Sequence, residues 1–345
     1  MSFAVGILGA GVMGEAHAKA YSQAGVRIQG IADLNFEQAK SLAARYGAEP
    51  YANTEDLLRT DPTAISICTP HGFHADSIVG AARRGIHVLV EKPHCVTIEQ
   101  ARAIRRACTE SGVRLMVGFT QRFFPSMREL RRRIQDGVFG DLVLAVDYLV
   151  ACAIKAPRPL WYLDREVAGG GIVMIGCIHA IDRLRWIAAS DIVSVSAVAR
   201  QVGADGDVED LASLTLRFES GLCAMLVGYR SPVPAHARRH TFELYGTLAE
   251  AAADLNNVDR QTLEITTGSH RLTREFPEED PFVAEIKEFV SAIESGRDPE
   301  PGLREAEAAL AVVLASYESA HSGAPVAPAR ILTSSIQGKA KHDKG

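Results

Sequence analysis

Val5-Gly6-Ile7-Leu8-Gly9-Ala10-Gly11-Val12-Met13-Gly14-Glu15-Ala16-His17 is the stretch that decides the fold class of this 345-residue chain. The apolar run Val5 to Leu8 reads as a strand and passes straight into Gly-x-Gly-x-x-Gly, after which Glu15 to Tyr21 continues with helical character. A second apolar strand, Arg27 to Ala32, ends in an acid, Asp33, 24 residues after Gly9. Strand, glycine turn, helix, strand and acid thus stand in the order of a dinucleotide-binding βαβ unit. Gly9 permits the tight turn, Gly11 lets the backbone approach a pyrophosphate, and Gly14 lets helix pack on strand. The helix start, with Val12 and Met13, attracts the phosphates. Asp33 is placed for the two ribose hydroxyls of NAD and would repel the 2′-phosphate of NADP, so NAD is favoured over NADP.

Composition agrees with an ordinary globular enzyme. The hydrophobic share is 47% against 23% charged residues, and a chain of this length exceeds what one core usually spans, so two domains are expected. A net charge of −5 gives no electrostatic footprint for nucleic acid or an anionic membrane. The basic run Arg131-Arg132-Arg133 falls in a helical stretch that reads as solvated surface. Six cysteines without a CxxC pair read as buried thiols of a reducing compartment, and the chain opens on its first strand with no secretory leader pattern. Apolar runs such as Ala308 to Tyr317 are shorter than the roughly 20 residues a membrane helix needs. The protein is therefore expected in the cytoplasm.

Strands at 3–8, 27–32, 64–68, 86–90 and 113–118 alternate with helical stretches at 12–24, 35–46, 54–59, 74–84 and 97–111. Such alternation demands a parallel, doubly wound sheet whose ligand crevice lies at the carboxyl ends of the strands. After a helix at 125–136, strands at 141–153, 192–202, 208–218, 221–230 and 239–245 follow with little helix between them, which spells an antiparallel sheet. One helix, Gly169 to Ala188, interrupts them early, and helices at 281–295 and 303–321 close the chain. The expected fold is α/β: a Rossmann domain over 1–122, an α+β domain with a large open, mostly antiparallel sheet over 123–332, and a flexible tail over 333–345.

A second element is Gly85-Ile86-His87-Val88-Leu89-Val90-Glu91-Lys92-Pro93, an apolar strand ending in an acid, a lysine and a proline. Proline fixes φ and tolerates a preceding cis peptide, so the Lys-Pro step can aim the ammonium into the crevice. With Cys68-Thr69-Pro70 followed by His74, Gly118-Phe119-Thr120-Gln121-Arg122-Phe123, Gly169-Gly170-Gly171 leading to His179 and Asp182, and Phe282-x-x-Glu285-Ile286-x-x-Phe289, the chain resembles the Gfo/Idh/MocA oxidoreductases along nearly its whole length. The resemblance implies a Rossmann domain followed by an α/β domain whose open sheet commonly builds homodimers or homotetramers. It implies that Thr69, Pro70, His74, Glu91, Lys92 and Gln121 surround the cofactor, that Lys92 hydrogen-bonds the reacting oxygen, and that His179 accepts the proton. A secondary hydroxyl of a sugar, cyclitol or related polyol would be the substrate, oxidised by hydride transfer to nicotinamide C4.

The chain departs from that family at one position. A segment of form GGGxxxDxxxH is usual, and here Ile175 stands where the carboxylate would orient His179. Three readings compete. Lys92 and His179 suffice, with Asp182 holding the imidazole or binding a substrate hydroxyl; or proton transfer moves to Tyr162, beside Trp161; or catalysis is lost and the protein is a sensor. Within catalysis, transient redox serving bond cleavage or epimerisation is a further alternative. Arg122 would pair a substrate acid or brace the domain junction, and Trp161 is a candidate substrate contact. The resemblance also implies pocket residues from Thr120 to Phe124, the loop around Lys155 to Leu163, the helix of His179 and the strand residues near Tyr229 to His236. His71 and His74, spaced H-x-x-H, lack further ligands at zinc spacing, so no metal is expected.

Overall fold

The computed structural model describes residues 3–151, 159–203, 206–233, 238–256, 261–277 and 279–333. Lys155, His236 and the tail after Thr333 lie outside the described residues. The first part alternates strictly: β1 (Ala4–Leu8), α1 (Val12–Gln23), β2 (Arg27–Ala32), α2 (Phe36–Tyr46), β3 (Glu49–Tyr51), α3 (Thr54–Leu58), β4 (Ala64–Ile67), α4 (His74–Ala82), β5 (His87–Glu91), α5 (Ile98–Ser111) and β6 (Leu115–Gly118). The strands pair in parallel in the order β3-β2-β1-β4-β5-β6. The order reverses between β1 and β4, where the carboxyl ends open a crevice. β1 and β4 are buried along their whole length, as strands covered by helices on both faces must be. α5 starts on a capping box, Thr97 with Gln100, which is worth about 1 kcal/mol.

The second part runs α6 (Pro125–Gln135), β7 (Leu142–Ala151), α7 (Arg165–Ala168), a π-helical segment Val173–Cys177, α8 (Ile178–Ala188), then β8 (Ile192–Arg200), β9 (Leu211–Phe218), β10 (Cys223–Arg230), β11 (Arg239–Gly246), β12 (Glu250–Asp254), β13 (Thr262–Thr267) and β14 (His270–Glu275). Helices α9 (Pro281–Ser295), α10 (Leu303–Ser322) and α11 (Pro328–Thr333) follow. The strands form one sheet ordered β14-β13-β12-β11-β7-β10-β9-β8. Only β7 and β10 pair in parallel; the other pairs are antiparallel. Alternate residues of β9 are buried, the pattern of a sheet with one covered face.

Five expectations need correction. No strand is expected over Thr262–Thr267, where β13 forms with Leu263 and Ile265 buried in alternation. β3 is a three-residue edge strand containing Pro50, too short for a period to show. β12 is Glu-Ala-Ala-Ala-Asp, a composition that favours helix, and pairing with β11 and β13 overrides it. β14 is exposed throughout, so it carries no apolar alternation. The helix expected over Gly169 to Ala188 starts late, after its glycines, with the π-helical segment Val173–Cys177: Gly169 and Gly170 take φ of +80° and +149°, and a Cβ on Gly171 would lie 1.8 Å from the Glu209 carbonyl oxygen. The glycine run is the seat of Glu209, whose Oε1 accepts from Gly171 N–H at 2.9 Å, Val173 N–H at 3.1 Å and the Tyr317 hydroxyl at 2.9 Å.

Two details of composition also differ. The stretch Arg165–Ala188 is long and apolar enough to cross a membrane, but most of its apolar window is buried inside the fold, as in a core helix. Cys223 is exposed on β10 and Cys68 half-buried, whereas Cys95, Cys108 and Cys177 are buried. The closing helices tie the halves together. Ile286 and Phe289 of α9 share a core cluster with Val5, Ile7 and Tyr21, and Val117 N–H donates to the Pro301 carbonyl at 2.9 Å.

Candidate active site

A cavity of about 1130 Å³ opens at the carboxyl ends of β1, β2, β4 and β5 and extends beneath the second domain. Gly9, Gly11, Val12, Met13 and Asp33 form its first end, and Thr69, Pro70, Glu91, Lys92, Thr120 and Gln121 its middle. Trp161, Tyr162, Ile175 and His179 close it from the second domain. Most of the residues singled out from the sequence therefore face one space.

The glycine turn has the shape that a pyrophosphate requires. A Cβ on Gly14 would lie 1.9 Å from the Gly9 carbonyl oxygen, which is where helix meets strand. A Cβ on Gly11 would meet nothing within 4 Å, so the backbone there faces open space at the start of α1. Asp33 accepts from Ala10 N–H and Asn35 N–H, both at 2.7 Å, which fixes its carboxylate at the rim. These groups fit a dinucleotide: bare backbone donors for phosphate, and a held carboxylate for hydroxyls.

Lys92 follows β5, and the Lys92–Pro93 peptide is cis. Its Nζ donates to the Ile175 carbonyl at 3.1 Å. Glu91 turns the other way, into a buried network: its Oε1 lies 3.2 Å from His17 Nε2, His17 Nδ1 lies 3.2 Å from Ser66 Oγ, and the Tyr21 hydroxyl lies 2.8 Å from the same Oγ. Burial opposes charge on both partners. Cys68 and Glu91 nevertheless hold the His17 pKa well above its usual value, and His17 and Lys92 hold Glu91 low. Thr120 Oγ1 donates to Glu285 at 3.3 Å; burial, with Glu91 nearby, pushes that carboxyl up to about 8, so it is largely protonated at neutral pH.

His179 is half-buried at the cavity wall, and its Nδ1 has no hydrogen-bond partner among the described residues. Burial, then the positive charges of Lys92 and Arg183 and the neighbouring His240, hold its pKa well below the usual histidine value. The imidazole is therefore neutral, the form that accepts a proton. Behind it, Arg183 donates to both Gln121 and Asp147, and His240 Nε2 lies 3.5 Å from Asp147. This chain runs from Gln121 at the cavity wall to buried Asp147 on β7 and His240 on β11; its Arg183–Asp147–His240 part was not read from the sequence, because its members are scattered along the chain.

Three site expectations change. Arg122 and Asp182 form a bidentate ion pair at 2.7 and 2.6 Å, both essentially buried; neither lines the cavity, which supports the bracing role for Arg122 and engages Asp182 with the guanidinium rather than the imidazole. His74 does not line it either. Its ring sits 2.8 Å from the Pro93 carbonyl and 2.7 Å from that of Thr69, positioning the two loops that do. The helix of Arg131 is not simply solvated, since Arg131 lies 4.4 Å over the ring of Trp186. Conversely, His71 joins the site: its Nδ1 donates to the Ala168 carbonyl at 2.9 Å, and its ring meets Trp161 edge-on at 4.8 Å. Trp161 and Tyr162 stack at 3.9 Å. Arg238 also lines the cavity; no motif marks it in the sequence.

Residues 3–119 match the family described as oxidoreductase family, NAD-binding Rossmann fold, and residues 127–252 match the GFO/IDH/MocA C-terminal domain. The chain is 33% identical to inositol 2-dehydrogenase of Rhizobium meliloti over 92% of this chain and 97% of that protein. It is 29% identical to D-xylose 1-dehydrogenase (NADP(+)) 2 of Haloferax volcanii, over 86% and 90% of the two chains. Among solved structures, aldose-aldose oxidoreductase from Caulobacter crescentus, complexed with glycerol, superposes with a TM-score of 0.86 at 25% identity, covering 95% of this chain and 100% of that one. With fold, glycine turn and lysine-bearing strand end in agreement, the chain belongs to the Gfo/Idh/MocA family of oxidoreductases.

Proposed function

We propose that this protein is an NAD-dependent dehydrogenase that oxidises a secondary hydroxyl of a sugar, cyclitol or related polyol. The observation that carries the reading is the convergence of Lys92 and a neutral His179 on one cavity with the open glycine turn. Gly11, the start of α1 and Asp33 would hold the dinucleotide, and Thr69, Pro70, Glu91 and Gln121 would flank its reactive end. When bound, the nicotinamide supplies the hydride acceptor. Lys92 donates a hydrogen bond to the reacting oxygen and stabilises negative charge developing there. His179 takes the hydroxyl proton. The Phe119 ring meets the imidazole edge-on, 6.3 Å away. Trp161 and Tyr162 offer an aromatic wall to the apolar face of a sugar ring.

The finer assignments rest on single features. Asp33 supports NAD over NADP, because a fixed carboxylate repels a 2′-phosphate; an NADP-linked relative makes this the first point to measure, by comparing kcat/KM for the two cofactors. The open face of the large sheet supports assembly into dimers or tetramers, and free cysteines support a reducing, cytoplasmic setting. Incubating the protein with NAD and a panel of polyols, and following NADH absorbance together with product analysis, tests the reading. NADH formation supports it. Epimerised or cleaved product without NADH would favour transient redox, and cofactor binding without product would favour a sensor. Ile175 is the feature that keeps the sensor in view, and Tyr162 the residue that would take over proton transfer should His179 prove dispensable.

A further inference from the structure

We infer that the substrate carries an anionic group, a carboxylate or a phosphate ester, and that Arg238 receives it. The inference rests on the dehydrogenase reading above and narrows its substrate class. Besides Phe124, Pro281 and Phe282, the second domain contributes Pro159, Trp161, Tyr162, Ile175, His179 and Arg238 to the cavity. Among these described residues there is one permanent charge, positive, and no carboxylate. The position at which an acid would stand is Ile175, and the carboxylate nearest in the network, Asp147, is fully buried and occupied by Arg183 and His240.

Arg238 stands directly before β11, at the second-domain wall of the cavity. His240 of β11 points into the fold toward Asp147 and is near enough to His179 for its charge to act there. Arg238 precedes His240 by two residues and adds positive charge to its surroundings. The phosphate-binding glycines stand on the first domain, at the start of α1. Among the described residues Arg238 is exposed and makes no ion pair. A guanidinium at a cavity wall without a protein acid is a receptor for a planar or tetrahedral oxyanion, which it can hold through two parallel hydrogen bonds. Neutral polyols need only neutral donors and acceptors there.

Calorimetric titration of the NADH-loaded protein with myo-inositol, D-glucuronate and D-glucose 6-phosphate tests this without requiring turnover. At least one anionic probe is expected to bind ten times or more tightly than myo-inositol, and Arg238→Gln to remove that advantage while Arg238→Lys restores part of it. NADH affinity should be the same in Arg238→Gln and wild type. Carboxylate and phosphate are told apart by which of the two probes gains. Equal affinities, an advantage that survives Arg238→Gln, a loss of NADH binding in that variant, or no measurable binding of either anion would each overturn the inference. Tight anion binding without NADH formation from NAD would instead leave it standing and overturn the dehydrogenase reading.

Discussion

The ammonium of Lys92 donates to the backbone carbonyl of Ile175, 3.1 Å away, so the residue that lacks the carboxylate expected to orient His179 holds, through its main chain, the lysine proposed to meet the reacting oxygen. The carbonyl oxygen is provided by the π-helical segment Val173–Cys177. The side chain at 175 is free to be apolar. What changes is the electrostatics of His179, which has positive neighbours and no acid opposite it.

Replacing Lys92 by Met removes the donor to the reacting oxygen while keeping the stem. Turnover is expected to fall by about 10²–10⁴, with NAD affinity, measured by fluorescence titration, within a few-fold of wild type. Undiminished turnover would remove Lys92 from the mechanism.

The depressed His179 pKa has a signed consequence for pH. A base must be deprotonated to act, so the acidic limb of kcat/KM is expected below the usual histidine pKa of about 6.5. Ile175→Asp places a carboxylate four residues before His179, favours the imidazolium and should move that limb upward. An acidic limb identical in the two proteins would show that His179 is not the base being titrated.

Gly11 and Gly14 separate ligand approach from packing. Gly11→Ala adds a methyl where the protein has nothing within 4 Å, so the cofactor-free melting temperature should stay near wild type while NAD affinity drops tenfold or more. Gly14→Ala would set its methyl 1.9 Å from a main-chain oxygen, and its cost should appear in stability, about 3 kcal/mol or more by denaturant unfolding. Equal stability losses in the two variants would contradict this division.

Glu285 links stability to pH. Its folded-state pKa is pushed from 4.5 up to about 8 by burial and Glu91, so between those values the folded state holds a proton that the unfolded state has lost. Its contribution is complete at low pH and fades as pH rises through about 8. Glu285→Gln keeps the shape and removes the titration. Its stability relative to wild type should therefore increase between pH 5 and pH 8, by on the order of 2–4 kcal/mol. A constant difference across that range would mean that Glu285 is ionised in the folded protein.

The sequence alone determined the parallel domain, the glycine turn with Asp33 and the Lys-Pro strand end, because each is local: a period, a turn or a short spacing carries its own signal. Ile175 stands out only against the pattern of the family the chain resembles. β12 and β14 were not legible, since an alanine-rich strand and an exposed edge strand owe their form to the neighbours they pair with. Only tertiary structure decided the partners of the charged residues. Arg122 pairs with Asp182 across 60 positions, Arg183 with Asp147 across 36, and Lys92 with the Ile175 carbonyl across 83. A buried charge must find an opposite charge or a dipole, and chain topology, not spacing along the chain, sets which one lies within reach.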